Sequence, residues 1–159
     1  MTEREKVKLR ELLEALKSSC NILEELLEGD VESSLNLVTS KLESDEFSQN
    51  VKMTLTKMGL PPQLLGFSYV QTAIVLLHTS TSRIKTAKVL YPMVAERHNS
   101  SYSKIEHAIR HSIIKLWSID LTEENLDTIQ LVLGYSPLNK YRKPTNLEFL
   151  YGLAEFFKN

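Results

Sequence analysis

The side chains best suited to bind a ligand lie together in the stretch SSYSKIEHAIRHSIIKLW, residues 100–117. His107 and His111 are four residues apart, which on a helix brings two imidazoles to one face, as in a metal site. A stable site needs further ligands, yet Glu106 points about 100° away from His107 around the helix. His98 is the other imidazole nearby. We therefore expect neither a metal nor another cofactor, and interpret both histidines as structural residues or contacts to an anionic partner.

Positive charge is concentrated around this stretch. Residues 1–50 carry 6 Lys or Arg and 12 Asp or Glu, whereas residues 51–159 carry 13 and 8. Seven basic residues but two acidic ones lie between residues 83 and 115. The basic ones are Arg83, Lys85, Lys88, Arg97, Lys104, Arg110 and Lys115. This pattern is typical of a protein that binds a polyanion, although a solvated basic face without a partner has the same composition.

Two predicted helices flank the short turn Asn99-Ser100-Ser101, which is the arrangement of a DNA-binding helix-turn-helix. The second helix, residues 102–119, would enter the major groove of double-stranded DNA. It carries an outward row opposite the apolar Ile105, Ile109 and Leu116. The outward row is Lys104, His107, His111 and Lys115. The spacing by itself predicts a polar helix face, and DNA binding is one interpretation of it.

Several polar groups near this turn are suited to DNA. Hydroxyl and backbone N–H groups at the positive end of a helix can bind phosphates. The residues that offer them are Ser100, Ser101 and Ser103. Lys104 can donate to guanine O6 and N7, and Glu106 can accept from cytosine N4. Lys88, on the preceding helix, extends the basic surface.

The remaining sequence predicts further helices and the signals that end them. Apolar periodicity predicts helices over residues 47–58, 67–78 and 84–98, and one that begins at Thr122. Gly59 and the Pro61-Pro62 pair end the first of these. Thr145-Asn146-Leu147-Glu148 is a capping box that opens the last helix. Since no convincing strand is present, we predict an all-α protein, with a six-helix DNA-binding effector domain over residues 47–159.

Residues 1–46 have the pattern of a helical hairpin. Apolar residues recur at alternating intervals of four and three, which is a heptad seam. The seam is Leu9, Leu13, Leu16, Cys20, Leu23 and Leu27. After Gly29-Asp30 the same spacing returns in Val31, Leu35, Val38 and Leu42. Because a lone hairpin buries too little apolar surface to be stable, we predict that it forms a homodimer, docks a partner protein or packs on the following domain.

Other classes of protein find little support in the sequence. There is no phosphate-binding glycine loop, no pair of cysteines and no nucleophile elbow, so an enzyme is not expected. No segment approaches the roughly 20 apolar residues that span a bilayer, and the charged N-terminus lacks a signal-peptide core. Cys20 is the only cysteine. We expect a cytoplasmic, nucleoid-associated protein without membrane contact.

Three blocks of sequence resemble a known family in the right order. They are GLPPQLLGFSYVQTAI, AKVLYPMVAERHNSSYSKIEHAIRHSIIKLW and LGYSPLNKYRKPTNLEFL. They resemble the C-terminal effector domain of the sporulation-initiation response regulator, the stage-zero master transcription factor of spore-forming Firmicutes, from about Val51 to Phe157. The resemblance implies a bundle of about six helices with a helix-turn-helix that binds a short promoter box. It does not extend to a receiver domain, so no phosphoacceptor is assigned to Asp30 or Asp45.

The recognition helix departs from this family at two positions. The family typically reads S-R-V-E-R-A-I-R-H, so Glu106, Arg110 and His111 match, whereas Lys104 and His107 stand where the family uses two arginines on guanines. Lysine lacks the rigid fork of arginine, and neutral histidine offers one donor. We therefore expect an altered target box, with Arg110 and His111 still able to hold the DNA backbone.

Two functions follow from the resemblance. The first is a sequence-specific transcriptional regulator. The second is a protein-interaction module or antagonist that has lost DNA readout and binds a regulator or RNA polymerase, with the acidic N-terminal segment as a dimeriser, a docking element or a self-inhibitor. In the family, the segment that corresponds to residues 118–132 helps contact the sigma subunit of RNA polymerase. Its acidic residues here are Asp120, Glu123, Glu124 and Asp127.

Overall fold

The computed structural model describes residues 2–28, 31–80, 84, 86–138 and 143–159. Within these ranges the regular structure consists of seven α-helices and no strand, so the all-α prediction is confirmed. The helices are α1 (Glu3–Glu28), α2 (Val31–Lys57), α3 (Leu65–Thr79), α4 (Ala87–Arg97), α5 (Tyr102–Leu116), α6 (Glu123–Leu133) and α7 (Asn146–Phe156). The chain divides into two compact units, Met1–Glu43 and Ser44–Asn159.

The first unit is helical, but its apolar residues are exposed. Every described side chain of α1 is exposed, including Leu13 at 51% and Leu16 at 64%. Leu35, Val38 and Leu42 of α2 are exposed as well. The heptad spacing thus predicts the helices correctly, while the seam that it defines is uncovered in this chain. The predicted turn at residues 29–30 lies outside the described residues.

The helix start predicted at residue 47 was wrong, because α2 continues from Val31 to Lys57 without a break. The intervening residues 43–46 are Glu-Ser-Asp-Glu. They interrupt the apolar pattern, but they include neither Gly nor Pro, so nothing in the backbone stops the helix. The same helix is exposed at Leu42 and wholly buried at Val51 and Leu55.

The core of the second unit is built around α3, which packs against α4, α5 and α7. Val70, Ala73 and Ile74 of α3 are fully buried. The end of α2 contributes Val51, Leu55 and Met58; α6 and α7 contribute Ile129, Phe149, Leu150 and Leu153. Phe47 of α2 stacks on the His78 ring, with 3.9 Å between the ring centroids.

Helices α3 and α5 approach so closely that only glycine fits between them. A Cβ atom added at Gly66 would overlap the Ser112 hydroxyl oxygen and the Ala108 carbonyl oxygen. Ser112 is fully buried, and its hydroxyl has no hydrogen-bond partner among the described residues. This contact sets how closely α5 lies on the core.

Local stop and start signals are confirmed where the sequence predicts them. Gly59 has a φ of 90°, in the left-handed region that favours glycine, two residues after the end of α2. Thr145 and Glu148 form the predicted capping box of α7, with the Thr145 N–H donating to Glu148 Oε2 at 2.9 Å. Thr122 caps α6 in the same way, with Asn125 as the reciprocal partner.

Candidate nucleic-acid interface

Helices α4 and α5 are joined by the short turn of residues 98–101. Asn99 has a φ of 48°, a left-handed conformation that asparagine tolerates better than most residues. Ser101 begins α5 as its N-cap, because its side-chain oxygen accepts the Lys104 N–H at 3.4 Å. The Tyr91 and Tyr102 rings meet edge to face across the turn, with centroids 5.2 Å apart.

Both helices are shorter than predicted. α4 begins at Ala87 and not at residue 84, because Thr86 is extended, with φ −134° and ψ 149°, and its carbonyl accepts from the first turn. Ile84 is buried but lies outside the helix. α5 ends at Leu116 and not at residue 119, because the chain forms a turn at Trp117 and Ser118.

Helix α5 has one buried face and one exposed face. Its inward side chains are Ile105, Ile109, Ser112, Ile113 and Leu116, all fully buried, as the apolar spacing predicts. The predicted outward row of Lys104, His107, His111 and Lys115 is exposed along its whole length. The side chains of this row are therefore free of the core and can meet a partner.

The structure brings most of the predicted site residues to the exposed surface of α4, the turn and α5. The exposed ones are Lys88, Ser101, Ser103, Lys104, Glu106, His107, His111 and Lys115. Ser100 and Arg110 are partly buried. Arg83 and Lys85, which contribute to the basic cluster in the sequence, lie outside the described residues.

Arg110 has a structural contact that the sequence does not predict. Its Nη1 donates a hydrogen bond to the Pro144 carbonyl at 2.6 Å and so ties α5 to the segment before α7. A second link is made by Asn146 Nδ2, which donates to the Glu106 carbonyl at 3.0 Å. Because a guanidinium has five donors, Arg110 can hold Pro144 and still offer N–H groups to a phosphate.

Glu106, Arg110 and Asn146 also line a groove of about 630 Å³ beside the exposed face of α5. It is lined by Ala87, Tyr91, Glu106, His107, Arg110, Lys143, Thr145, Asn146 and Leu147. Burial raises the pKa of the Tyr91 phenol above its ordinary value, so this group stays protonated. Glu106 and His107 are exposed on α5 and also line this groove, next to the segment that precedes α7.

Lys143 and Thr145 are candidate DNA contacts that the helical pattern of the sequence does not reveal. Both are exposed, and the fold places them around the same groove as His107. The motif KPTN, residues 143–146, belongs to the third block of the family resemblance and is the signal that could have identified them. Spacing could not, because these residues lie far from α5 in the sequence.

We predict that Arg110→Ala lowers the stability of the second unit by about 1–2 kcal/mol, because a charge-assisted hydrogen bond to Pro144 is lost. The same variant should bind all DNA sequences more weakly, without a change in base preference. Thermal unfolding followed by circular dichroism, together with titration of two unrelated DNA duplexes, measures both effects. The control is Arg110→Lys, which keeps the charge but not the fork; an Arg110→Ala variant as stable as wild type would contradict the prediction.

Among the described helices, none is long and apolar enough to cross a membrane. Within the same residues, no group of three His, Cys, Asp or Glu side chains is arranged to hold a metal ion.

The fold and the exposed face define a small all-helical domain in which two helices meet across a short turn. The chain belongs to the family described as "Sporulation initiation factor Spo0A C terminal", whose model matches residues 51–156. This confirms the resemblance found in the sequence. The family is a DNA-binding regulatory domain of a sporulation transcription factor and not a family of enzymes. The matched segment lies within the second unit, Ser44–Asn159.

Proposed function

We propose that the chain is a sequence-specific transcriptional regulator that inserts α5 into the major groove of double-stranded DNA. The DNA-binding part of the proposal follows from the family. The assignment of α5 is carried by one observation, the exposed row opposite the fully buried Ile105, Ile109 and Ile113. A helix anchored on one face can present the other face rigidly to base edges. The protein would act at the cytoplasmic nucleoid.

The residues of this surface divide into two groups in the proposal. Lys104, Glu106 and His107 lie in the first two turns of α5 and read base edges. The remaining residues contact phosphates and set the position of the helix. They are Ser100, Ser101, Ser103, Arg110, His111, Lys115 and Lys88. The target box differs from that of the family, because Lys104 and His107 replace arginines.

Selection of DNA from a random library, followed by footprinting, tests this proposal. The intact protein should enrich a common sequence, and its affinity should fall steeply with salt, because each phosphate contact releases a counterion. Lys115→Ala should lower the salt slope by about 1, whereas Lys158→Ala, at the end of α7, should not change it. Failure to enrich any sequence at moderate salt would refute base readout.

A second candidate function rests on a different surface. Asp120, Glu123, Glu124 and Asp127 are all exposed around the start of α6, and the nearby Leu131 is 72% exposed. An acidic surface with an exposed leucine suits a basic protein partner, such as the sigma subunit of RNA polymerase or another regulator. A protein that bound such a partner but no DNA would act as an interaction module or antagonist. Pull-down with purified sigma subunit, compared with a Glu123→Lys/Glu124→Lys variant, distinguishes this function.

The exposed seam of α1 supports a homodimer formed through residues 1–46. We predict that removal of these residues converts a dimer into a monomer and weakens binding to a two-site DNA at least about tenfold, because the second site loses its tethered partner. Sedimentation and DNA titration of the intact chain and of residues 47–159 measure both effects. Tighter DNA binding by the shortened chain would instead indicate that the acidic segment inhibits the basic face.

A further inference from the structure

The exposed seam of α1 is long enough for a coiled coil. The helix has 26 residues, which is about 39 Å at 1.5 Å per residue, or nearly four heptads. Leu13, Leu16 and Leu23 are each more than half exposed, although leucine at these spacings is typical of a helix–helix contact. Apolar surface of this extent on a free helix indicates a surface that another helix covers.

Charge is divided unevenly between the two halves of α1. The half before Ser18 holds every basic residue of the helix together with four glutamates. The basic residues are Arg4, Lys6, Lys8, Arg10 and Lys17, and the glutamates are Glu3, Glu5, Glu11 and Glu14. The charged residues after Ser18 are Glu24, Glu25 and Glu28, and the last turn contains no basic residue. The described ion pairs of α1, Lys6 with Glu3 and Lys17 with Glu14, are in the first half.

The acidic half is therefore left without compensation within its own helix. Glu24 and Glu25 have no basic residue three or four positions away along α1. They also lie towards the C-terminal end of the helix, where the macrodipole disfavours negative charge. A neighbouring helix that brought basic side chains and its own N-terminal end to this half would relieve both penalties.

We propose that α1 pairs with α1 of a second copy of this chain in antiparallel orientation, with the two-fold axis at Ser18. This proposal rests on the homodimer proposed above and adds its geometry. With the two seams fully overlapped, Leu16 faces the partner's Cys20 and Leu13 faces the partner's Leu23. Arg10 then flanks the partner's Glu24, and the half of each helix that carries all its basic residues lies along the half of the other that carries acidic residues alone.

A parallel pair with the same seam is less favourable. It would place the acidic ends of both helices together and would align both macrodipoles. It would also stack Cys20 on its own copy, whereas the antiparallel pair sets this small side chain against a leucine. Charge complementarity thus selects one orientation of two that bury the same apolar seam.

Disulfide trapping with the intact chain tests the orientation, since Cys20 is the only native cysteine. In Leu16→Cys, each introduced thiol should lie opposite the partner's Cys20. Mild oxidation with diamide should then give a covalent dimer on a non-reducing gel. The wild type should remain uncrosslinked, because antiparallel pairing offsets the two Cys20 residues along the axis. Glu11→Cys, on the outer face of α1, is the matched control and should also remain uncrosslinked.

The possible outcomes separate the orientation from the dimer itself. Sedimentation that shows a monomer overturns the homodimer and with it the antiparallel pair. A dimer in which the wild type crosslinks through Cys20 overturns the antiparallel orientation while the homodimer stands. As a second measurement, Arg10→Glu should weaken the dimer roughly 2- to 30-fold, and the charge swap Arg10→Glu/Glu24→Arg should restore it. A swap that restores nothing also counts against the antiparallel pair.

Discussion

Replacing Lys104 and His107 together by arginine should raise the affinity for guanine-containing sites about 10- to 100-fold. Each substitution introduces a planar fork that can bind guanine O6 and N7 at once, and a good bidentate pair contributes about 1–3 kcal/mol of discrimination. Both positions are exposed in the first two turns of α5, so the longer side chains meet no steric barrier from the core. The resemblance in sequence implies arginine at both positions in related domains.

Matched variants separate base readout from simple charge. His107→Lys adds a positive charge without the fork and should strengthen binding to all DNA alike. Lys104→Arg keeps the charge and should change base preference with little change in the salt slope. Titration of each variant against the selected site, the family-type box and unrelated DNA gives the comparison. An equal gain on all three DNAs for the double variant would mean that α5 does not read guanines.

The local features of the fold were predictable because their signals act within a turn or two of helix. The buried face of α5 follows from the spacing of Ile105, Ile109 and Ile113, which the structure buries completely. The glycine after α2 and the Thr145 capping box are short-range effects of backbone conformation and hydrogen bonding. Each of these signals depends only on residues that are close in the sequence, so one sequence is enough to recognise it.

Other features depend on contacts between distant parts of the chain. The hydrogen bond from Arg110 to Pro144 joins residues 34 positions apart. This bond gives Arg110 a structural contact, whereas the sequence predicts only a contact between Arg110 and the DNA backbone. Lys143 also lies in the groove beside His107 through a contact between distant residues. Asn146, at the start of α7, donates to the Glu106 carbonyl of α5 and so brings the two segments together. Periodicity describes one helix at a time and cannot reveal which side chains of two helices meet.

The interruption at residues 43–46 illustrates a different limit. The loss of apolar periodicity there predicts a loss of helix, although it marks only the passage of α2 from an exposed segment to a buried one. Backbone conformation is decided by propensity and hydrogen bonding, whereas the apolar pattern reports what covers the helix. Leu42 and Val51 lie on the same helix with opposite surroundings.

The largest loss of stability is expected from Gly66→Ala. The added Cβ would overlap the Ser112 hydroxyl oxygen and the Ala108 carbonyl oxygen, and a backbone carbonyl cannot rotate away as a flexible side chain can. Helices α3 and α5 must then separate. We expect a loss of about 1–3 kcal/mol, even though alanine is the better helix former. For a unit of this size, such a loss lowers the unfolding temperature by roughly 5–15 °C.

Three variants make the result interpretable. Gly152→Ala is the matched control, because its Cβ would meet the movable Leu133 side chain at 3.0 Å and stability should change little. Ser112→Ala removes a buried hydroxyl without a described partner and should be neutral or stabilising. Combined with Gly66→Ala, it should recover part of the lost stability, since the clash with Ala108 remains. DNA titration below the unfolding temperature should still show weaker binding by Gly66→Ala. The reason is that α5, which the core holds in position for DNA binding, is displaced. Wild-type stability and affinity in Gly66→Ala would mean that the position of α5 does not depend on this contact.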